Sequence, residues 1–96
     1  MLGFAEGVSE EDRLSITLAA YNCGIGIVSE ARRLADALDE NKDSWKSVSK
    51  YLVLMGDNNF APPIEYRFRN FRGSGETLAF VDNVIERYDT YCNSVQ

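Results

Sequence analysis

Apolar residues recur at helical spacing in four segments of the chain, and breaks rich in glycine, proline or asparagine separate these segments. The predicted helices cover about residues 9–22, 26–40, 44–55 and 75–92. Residues 56–74 form one long loop between the third and fourth helices, with turn residues at its start and two prolines in its middle. The pattern therefore predicts an all-α domain of about four helices with one long loop.

The first predicted helix carries its start signal in residues 9–12. Ser9 is placed to cap the first turn, and Asp12 is placed to reach back to it as in a capping box. Glu10, Glu11 and Asp12 suit the positive end of the helix dipole, and we interpret them as helix-start charges. The apolar stripe consists of Leu14, Leu18 and Tyr21, widened by Ile16, Ala19 and Ala20. This stripe predicts that one face of the helix packs on the core.

The remaining predicted helices are also amphipathic. The second helix has its apolar stripe at Ile27, Ala31, Leu34, Ala35 and Leu38. Its predicted solvent-facing residues are Glu30, Arg32, Arg33, Asp36, Asp39 and Glu40. The third helix has its predicted cap at Ser44 and its apolar residues at Trp45, Val48, Leu52 and Met55. The fourth helix has its stripe at Leu78, Val81, Val84, Ile85, Tyr88 and Cys92. The β-branched content of the third segment leaves extended structure open there as an alternative.

The long loop alternates aromatic and basic side chains near its end. The aromatic residues are Tyr66, Phe68 and Phe71, and the basic residues are Arg67, Arg69 and Arg72. A short edge strand, with its aromatic side chains inward and its arginines outward, produces this alternation. A cationic, aromatic-lined ligand surface produces it as well, because arginine binds carboxylates and phosphates through two parallel hydrogen bonds. The residues alone leave both interpretations open.

Composition and charge exclude several classes of function. The chain has 96 residues, of which 45% are hydrophobic and 26% are charged, and these values are typical of one globular domain. Its net charge of −5 argues against a nucleic-acid partner, because phosphate binding usually needs an excess of basic residues. The absence of histidine excludes Ser-His-Asp and Cys-His catalysis and histidine zinc ligands. We therefore predict no cofactor, no metal site and no nucleic-acid partner.

The two cysteines, Cys23 and Cys92, form neither a CxxC pair nor a disulfide framework. We interpret them as small buried hydrophobic residues, while one long-range disulfide stays open because proximity in space cannot be deduced from sequence. No apolar stretch approaches the roughly 20 residues of a transmembrane helix. The N-terminus lacks the basic start and apolar core of a secretory signal. We expect that the chain either stays in the cytoplasm or follows an export signal that lies upstream.

Two motifs point to a known family. Residues 19–28 read AAYNCGIGIV, which on residue types alone indicates a helix that ends in a glycine turn. This segment resembles the AAYNAGxGxV motif of the lytic transglycosylases, which have the goose-type lysozyme fold. Residues 72–81 read RGSGETLAFV and resemble the RGxETxxYVxxI motif of the same family. Residues 31–35 and 45–48 resemble family segments between the motifs. Over residues 14–91 the chain resembles the C-terminal part of a membrane-bound lytic murein transglycosylase catalytic domain.

The resemblance implies that the chain binds peptidoglycan glycan strands in the bacterial cell envelope, in the periplasm or at the outer membrane. It implies substrate-binding roles for Tyr21 and Asn22 in the cleft and for Arg72 and Glu76 at its edge. The family's catalytic glutamate stands in an ES motif upstream of the AYN motif, and these 96 residues contain no such motif. We therefore assign no catalytic residue. We expect the chain to be one part of a truncated domain that is inactive alone. Its expected protein partners are a second copy of the chain or the upstream half of the same domain.

The sequence departs from the family pattern at three places. Cys23 replaces a small residue, Phe80 replaces a tyrosine, and one extra residue separates Gly73 from Glu76. Two alternatives stay open beside the transglycosylase interpretation. One is a non-enzymatic helical module that binds the cell wall or a protein. The other is catalysis by a relocated acid, either Glu65 or Glu76.

Overall fold

The computed structural model describes residues 2–62 and 67–94, with side chains described as far as residue 90. Its helices are α1 (Glu10–Cys23), α2 (Ile25–Ala37), α3 (Trp45–Leu54) and α4 (Ser74–Ser94). The described residues contain no strand, so the predicted all-α class is confirmed, and the extended alternative for the third segment is wrong. None of the described helices is long and apolar enough to cross a membrane.

The core lies where α2 packs on α3 and α1, and α4 covers one side of it by packing on α1. The buried apolar residues are Ile16, Ala19, Val28, Ala31, Leu34, Ala35, Val48, Tyr51, Leu52, Met55 and Val81. Most of them belong to the predicted stripes, because a helix buries residues spaced three or four positions apart. Among the stripe positions whose side chains are described, two were predicted wrongly, since Tyr21 is 84% exposed and Tyr88 is 44% exposed.

Arg32 is buried, although its position on α2 predicted a solvent-facing side chain. Its Nη2 lies 2.6 Å from Asp43 Oδ1 and also donates to the carbonyl oxygen of Gly3 at 2.6 Å. Its Nε donates to the carbonyl oxygen of Lys42 at 3.1 Å, and its guanidinium carbon lies 4.9 Å from the centre of the Phe4 ring. The prediction was wrong because all of these partners come from outside α2. Arg32 thus joins the N-terminal segment to the turn before α3.

Asp12 joins the start of α1 to the start of α3. Its backbone N–H donates to Ser9 Oγ at 3.1 Å, which confirms the predicted cap of α1. Its Oδ1 accepts the backbone N–H of Trp45, the first residue of α3, at 2.9 Å. Ser44 occupies the predicted N-cap position of α3, but its side chain makes no cap hydrogen bond. A carboxylate from another helix satisfies the open end of α3 instead.

The described end of the long loop, residues 67–73, contacts the end of α3 without forming a strand. The predicted edge strand is therefore wrong in this range, where the backbone N–H of Phe71 donates to the carbonyl oxygen of Met55 at 3.2 Å. Phe68 and Phe71 pack against the core, and the three arginines beside them are exposed, as the alternation predicted. The third aromatic residue, Tyr66, lies outside the described residues.

A close backbone approach makes Gly56→Ala a destabilising substitution. A Cβ at Gly56 would lie 2.4 Å from the carbonyl oxygen of Phe71, a backbone atom that moves only if the loop moves. We expect the free energy of unfolding to fall by about 1–3 kcal/mol, as measured by urea denaturation followed by circular dichroism. Gly75→Ala is the matched control, because nothing lies within 4 Å of its added methyl group. Equal urea midpoints for the two variants would contradict the close approach.

Candidate functional site

The turn between α1 and α2 leaves the last residues of α1 at the surface. Gly24 occupies this turn with φ of 101°, in a region of backbone conformation that favours glycine. Its N–H donates to the carbonyl oxygen of Ala20 at 2.9 Å, and α2 begins at the next residue, Ile25. Tyr21 is 84% exposed, and Asn22 is exposed as well. Both side chains are therefore accessible to a ligand.

The first turns of α4 contact both of these side chains. Thr77 is 1% exposed, and its hydroxyl donates to Asn22 Oδ1 at 2.8 Å. The Phe80 ring stacks on the Tyr21 ring, with the ring centres 6.4 Å apart and the ring planes 22° apart. We call Tyr21, Asn22, Thr77 and Phe80 the Tyr–Asn surface. This surface presents an aromatic ring and an amide side by side, each oriented by a contact from a second helix.

Cys23 follows Asn22 and carries a free thiol that is half-buried. Burial raises the pKa of this thiol, and a weaker interaction with the Thr77 hydroxyl lowers it. The thiol is therefore neutral at pH 7, and Cys23 packs as a small hydrophobic residue although it is less buried than we predicted. The side chain of Cys92 lies outside the described part of the chain.

The pH dependence of Cys23 alkylation should reveal the raised pKa. Only the thiolate reacts with iodoacetamide, so the reaction rate should rise at a higher pH in the folded chain than in urea. Because the pKa of the thiol is higher in the folded chain than in the unfolded chain, the protonated thiol stabilises the fold at pH values below the unfolded-state pKa. This contribution is lost as the pH rises through the folded-state pKa. Peptide mass spectrometry separates Cys23 from Cys92. Coinciding pH–rate profiles for Cys23 in the folded and unfolded chains would show that burial does not shift its pKa.

Arg72 and Glu76, the other predicted substrate-binding residues, flank the start of α4. Arg72 donates from Nε to Asn70 Oδ1 at 3.2 Å and from Nη2 to Asn58 Oδ1 at 3.1 Å. Glu76 is exposed in the first turn of α4. Neither of the ion pairs within the described ranges includes Arg72, so no described carboxylate neutralises its charge. Two neutral amides therefore orient Arg72 and leave its positive charge available.

Thr77 and Arg69 also belong to this region. The sequence patterns did not single out Thr77, whereas Arg69 is one of the three arginines of the alternating loop segment. Thr77 falls within the second family-like motif, next to Glu76, and that position was the signal for it. The Arg69 guanidinium lies against the first turn of α2, where a Cβ at Gly26 would come within 2.8 Å of Nη2. Gly26, the second glycine of the first motif, therefore leaves room for this arginine beside the α1–α2 turn.

Comparisons with curated proteins find relatives that share one name. No protein-family model matches the chain. The chain is 38% identical over 85 residues to the membrane-bound lytic murein transglycosylase F of Shewanella denitrificans, a match that covers 88% of the chain and 17% of the relative. Proteins of the same name from Shewanella loihica and Shewanella frigidimarina are 35% identical over 85 and 83 residues, which is 88% and 86% of the chain. The chain spans 17% of the length of each of these curated relatives. They confirm the resemblance to lytic transglycosylases.

Proposed function

We propose that the chain is one segment of a peptidoglycan lytic transglycosylase domain, that it binds glycan strands through the Tyr–Asn surface, and that it does not cleave them alone. The observation that carries the proposal is the Tyr21 ring, which is 84% exposed yet held by Phe80, within the AYN-like motif. An aromatic side chain of this kind offers a large contact area at low entropic cost. The similarity to proteins named lytic murein transglycosylases supports the choice of ligand.

A glycan strand suits this surface chemically. One face of a pyranose ring consists mainly of C–H groups and packs on an aromatic ring, while its rim carries hydroxyl and N-acetyl groups that need hydrogen-bond partners. Tyr21 supplies the aromatic ring, and Asn22 supplies an amide beside it. The Tyr–Asn surface thus offers both kinds of contact within the last turn of α1.

We place Arg72 and Glu76 at the edge of the bound glycan. Arg72 keeps its charge available, and arginine binds the carboxylates of glycan-linked peptides through paired hydrogen bonds. Glu76 is exposed and accepts hydrogen bonds from sugar hydroxyl groups or peptide N–H groups. These two residues would extend recognition from the sugar rings to the peptides attached to them.

The acids described near this surface do not stand where a general acid works. In glycoside cleavage that acid acts from a partly desolvated position beside the leaving oxygen. Glu76 is exposed to solvent, and Glu65 lies outside the described residues. In the proposed mechanism Tyr21 and Asn22 therefore bind and orient the sugar, and a glutamate on another segment of the complete domain protonates the glycosidic oxygen.

Purified peptidoglycan sacculi test the proposal in one experiment. The chain should sediment with the sacculi, and mass spectrometry should detect no anhydro-muropeptides in the supernatant. Glu76→Gln should match the unmodified chain in the cleavage assay. A chain that stays in the supernatant would overturn the proposed binding. Anhydro products that disappear in Glu76→Gln would overturn the assigned inactivity and identify Glu76 as a general acid.

The place of action is also a proposal. The relatives are named as membrane-bound proteins, and this supports action in the bacterial cell envelope, in the periplasm or at the outer membrane. Detection of the chain by antibody after fractionation of the source cell tests this assignment. Recovery with the envelope fractions is the expected result, and recovery in the cytoplasm alone would contradict it.

A second candidate function is a helical module that binds a protein, and a groove between α1 and α4 favours it. The groove is lined by Phe4, Glu10, Arg13, Leu14, Thr17, Val84 and Tyr88. Apolar surface of this kind marks interaction sites when it is contiguous. The candidate partners for this groove are a second copy of the chain and the upstream half of the domain. Sedimentation velocity of the chain alone distinguishes them. The sedimentation coefficient should rise with the concentration of the chain if a second copy is the partner, and it should stay constant if the upstream half is the partner.

A further inference from the structure

The Thr77 hydroxyl bonds to a residue of another helix. Its backbone N–H donates to the carbonyl oxygen of Gly73 at 3.1 Å, as expected near the start of a helix. Many helical threonines also turn their hydroxyl back to a carbonyl of their own helix. The Thr77 hydroxyl instead donates to Asn22 Oδ1 at 2.8 Å, and Thr77 is 1% exposed. This buried hydroxyl therefore connects α4 to the exposed end of α1.

The bond determines which end of the Asn22 amide is available to a ligand. An asparagine amide has one acceptor oxygen and one NH₂ group with two donors. Thr77 engages the oxygen, and the NH₂ group has no partner among the described residues. Because Asn22 is exposed, this group is accessible next to the Tyr21 ring. The Tyr–Asn surface thus presents a hydrogen-bond donor, and its ligand must supply an acceptor.

We propose that Thr77 is a positioning residue that turns the Asn22 amide so that its NH₂ group donates to the carbonyl oxygen of an N-acetyl group on the glycan. The inference rests on the proposed function of the Tyr–Asn surface and deepens it by naming the group recognised. A freely rotating amide offers its oxygen and its nitrogen alternately, so it does not distinguish acceptors from donors. An amide held by Thr77 presents its NH₂ group, so it favours ligands that carry a hydrogen-bond acceptor there. The carbonyl oxygen of an N-acetyl group is such an acceptor.

Three variants separate the hydroxyl from the packing of Thr77. Thr77→Val removes the hydroxyl and keeps the shape of the side chain. Thr77→Ser keeps the hydroxyl and serves as the conservative rescue. Ser74→Ala removes a hydroxyl at the first residue of the same helix, without touching the bond to Asn22.

Side-chain ¹⁵N relaxation of Asn22 in the ligand-free chain tests the positioning without any glycan. The order parameter of the amide should be about 0.8 in the unmodified chain, Thr77→Ser and Ser74→Ala, and below about 0.6 in Thr77→Val. A value below about 0.6 in the unmodified chain would overturn the inference, and this result does not depend on whether Thr77→Val folds. Equal values in Thr77→Val and the unmodified chain would overturn it as well.

Two neutral tetrasaccharides test the group recognised. The unmodified chain and Thr77→Ser should bind N-acetylchitotetraose about tenfold more tightly than cellotetraose, which has no N-acetyl groups, and Thr77→Val should lose this preference. Equal affinity of the unmodified chain for both sugars would overturn the inference and leave glycan binding intact. Binding of neither sugar would overturn the proposed function together with the N-acetyl assignment, and the relaxation data would still decide whether Thr77 positions the amide.

Discussion

Asp43→Ala should lower the free energy of unfolding by about 3–5 kcal/mol, because it leaves the Arg32 guanidinium buried without its anion. The side chains of this pair are 10% and 6% exposed, and their charged atoms lie 2.6 Å apart. Asp43 Oδ2 also accepts the backbone N–H of Ala5 at 3.4 Å, so the substitution removes a second contact to the N-terminal segment. Domains of this size are stable by about 5–15 kcal/mol, so the loss is a large share of the total.

Urea denaturation measures this loss, and two variants serve as controls. Lys50→Met breaks the Lys50–Glu40 pair, whose side chains are 53% and 32% exposed, and should lower stability far less than Asp43→Ala does, because solvent screens this pair. The double variant Arg32→Met/Asp43→Leu should recover part of the loss, because it leaves no buried charge without a partner. A double variant that is no more stable than Asp43→Ala would show that the uncompensated charge is not the cause.

Tyr21→Ala should weaken glycan binding by about 10- to 100-fold and leave the free energy of unfolding within about 0.5 kcal/mol of the unmodified chain. The ring is 84% exposed, so the core loses little when it is removed. Covering an aromatic side chain with a ligand contributes about 1.5–3 kcal/mol, which gives the expected loss of affinity. The substitution therefore separates binding from folding.

Isothermal titration with N-acetylchitotetraose measures this effect, and Tyr88→Ala is the matched control. Tyr88 is 44% exposed on α4 and lies outside the Tyr–Asn surface, so its removal should not change the affinity for the glycan. Equal losses of affinity in the two variants would show that Tyr21 has no special role. A large fall in stability for Tyr21→Ala would show that its stacking on Phe80 serves the fold rather than a ligand.

Local sequence patterns were sufficient to predict the four helices, and the candidate site stays a prediction that came from the family resemblance. The recurrence of apolar residues every three or four positions located α1, α3 and α4 closely, and the cap at Ser9 was predicted correctly. The predicted end of the second helix at residue 40 was wrong, because α2 stops at Ala37 although the helical pattern continues beyond it. The resemblance of the two motifs to the lytic transglycosylases, and not the residue types alone, selected Tyr21 and Asn22 as candidate site residues.

The sequence by itself determined which residues form helices and which face of each helix is apolar, because both follow from contacts within a few positions along the chain. The tertiary structure decided what polar side chains contact, since their partners come from distant positions. Arg32 contacts Asp43 and the N-terminal segment, and the Asp12 carboxylate, not the Ser44 hydroxyl, accepts the first backbone N–H of α3. The bond from Thr77 to Asn22 joins residues 55 positions apart, and no local pattern encodes a contact over that separation.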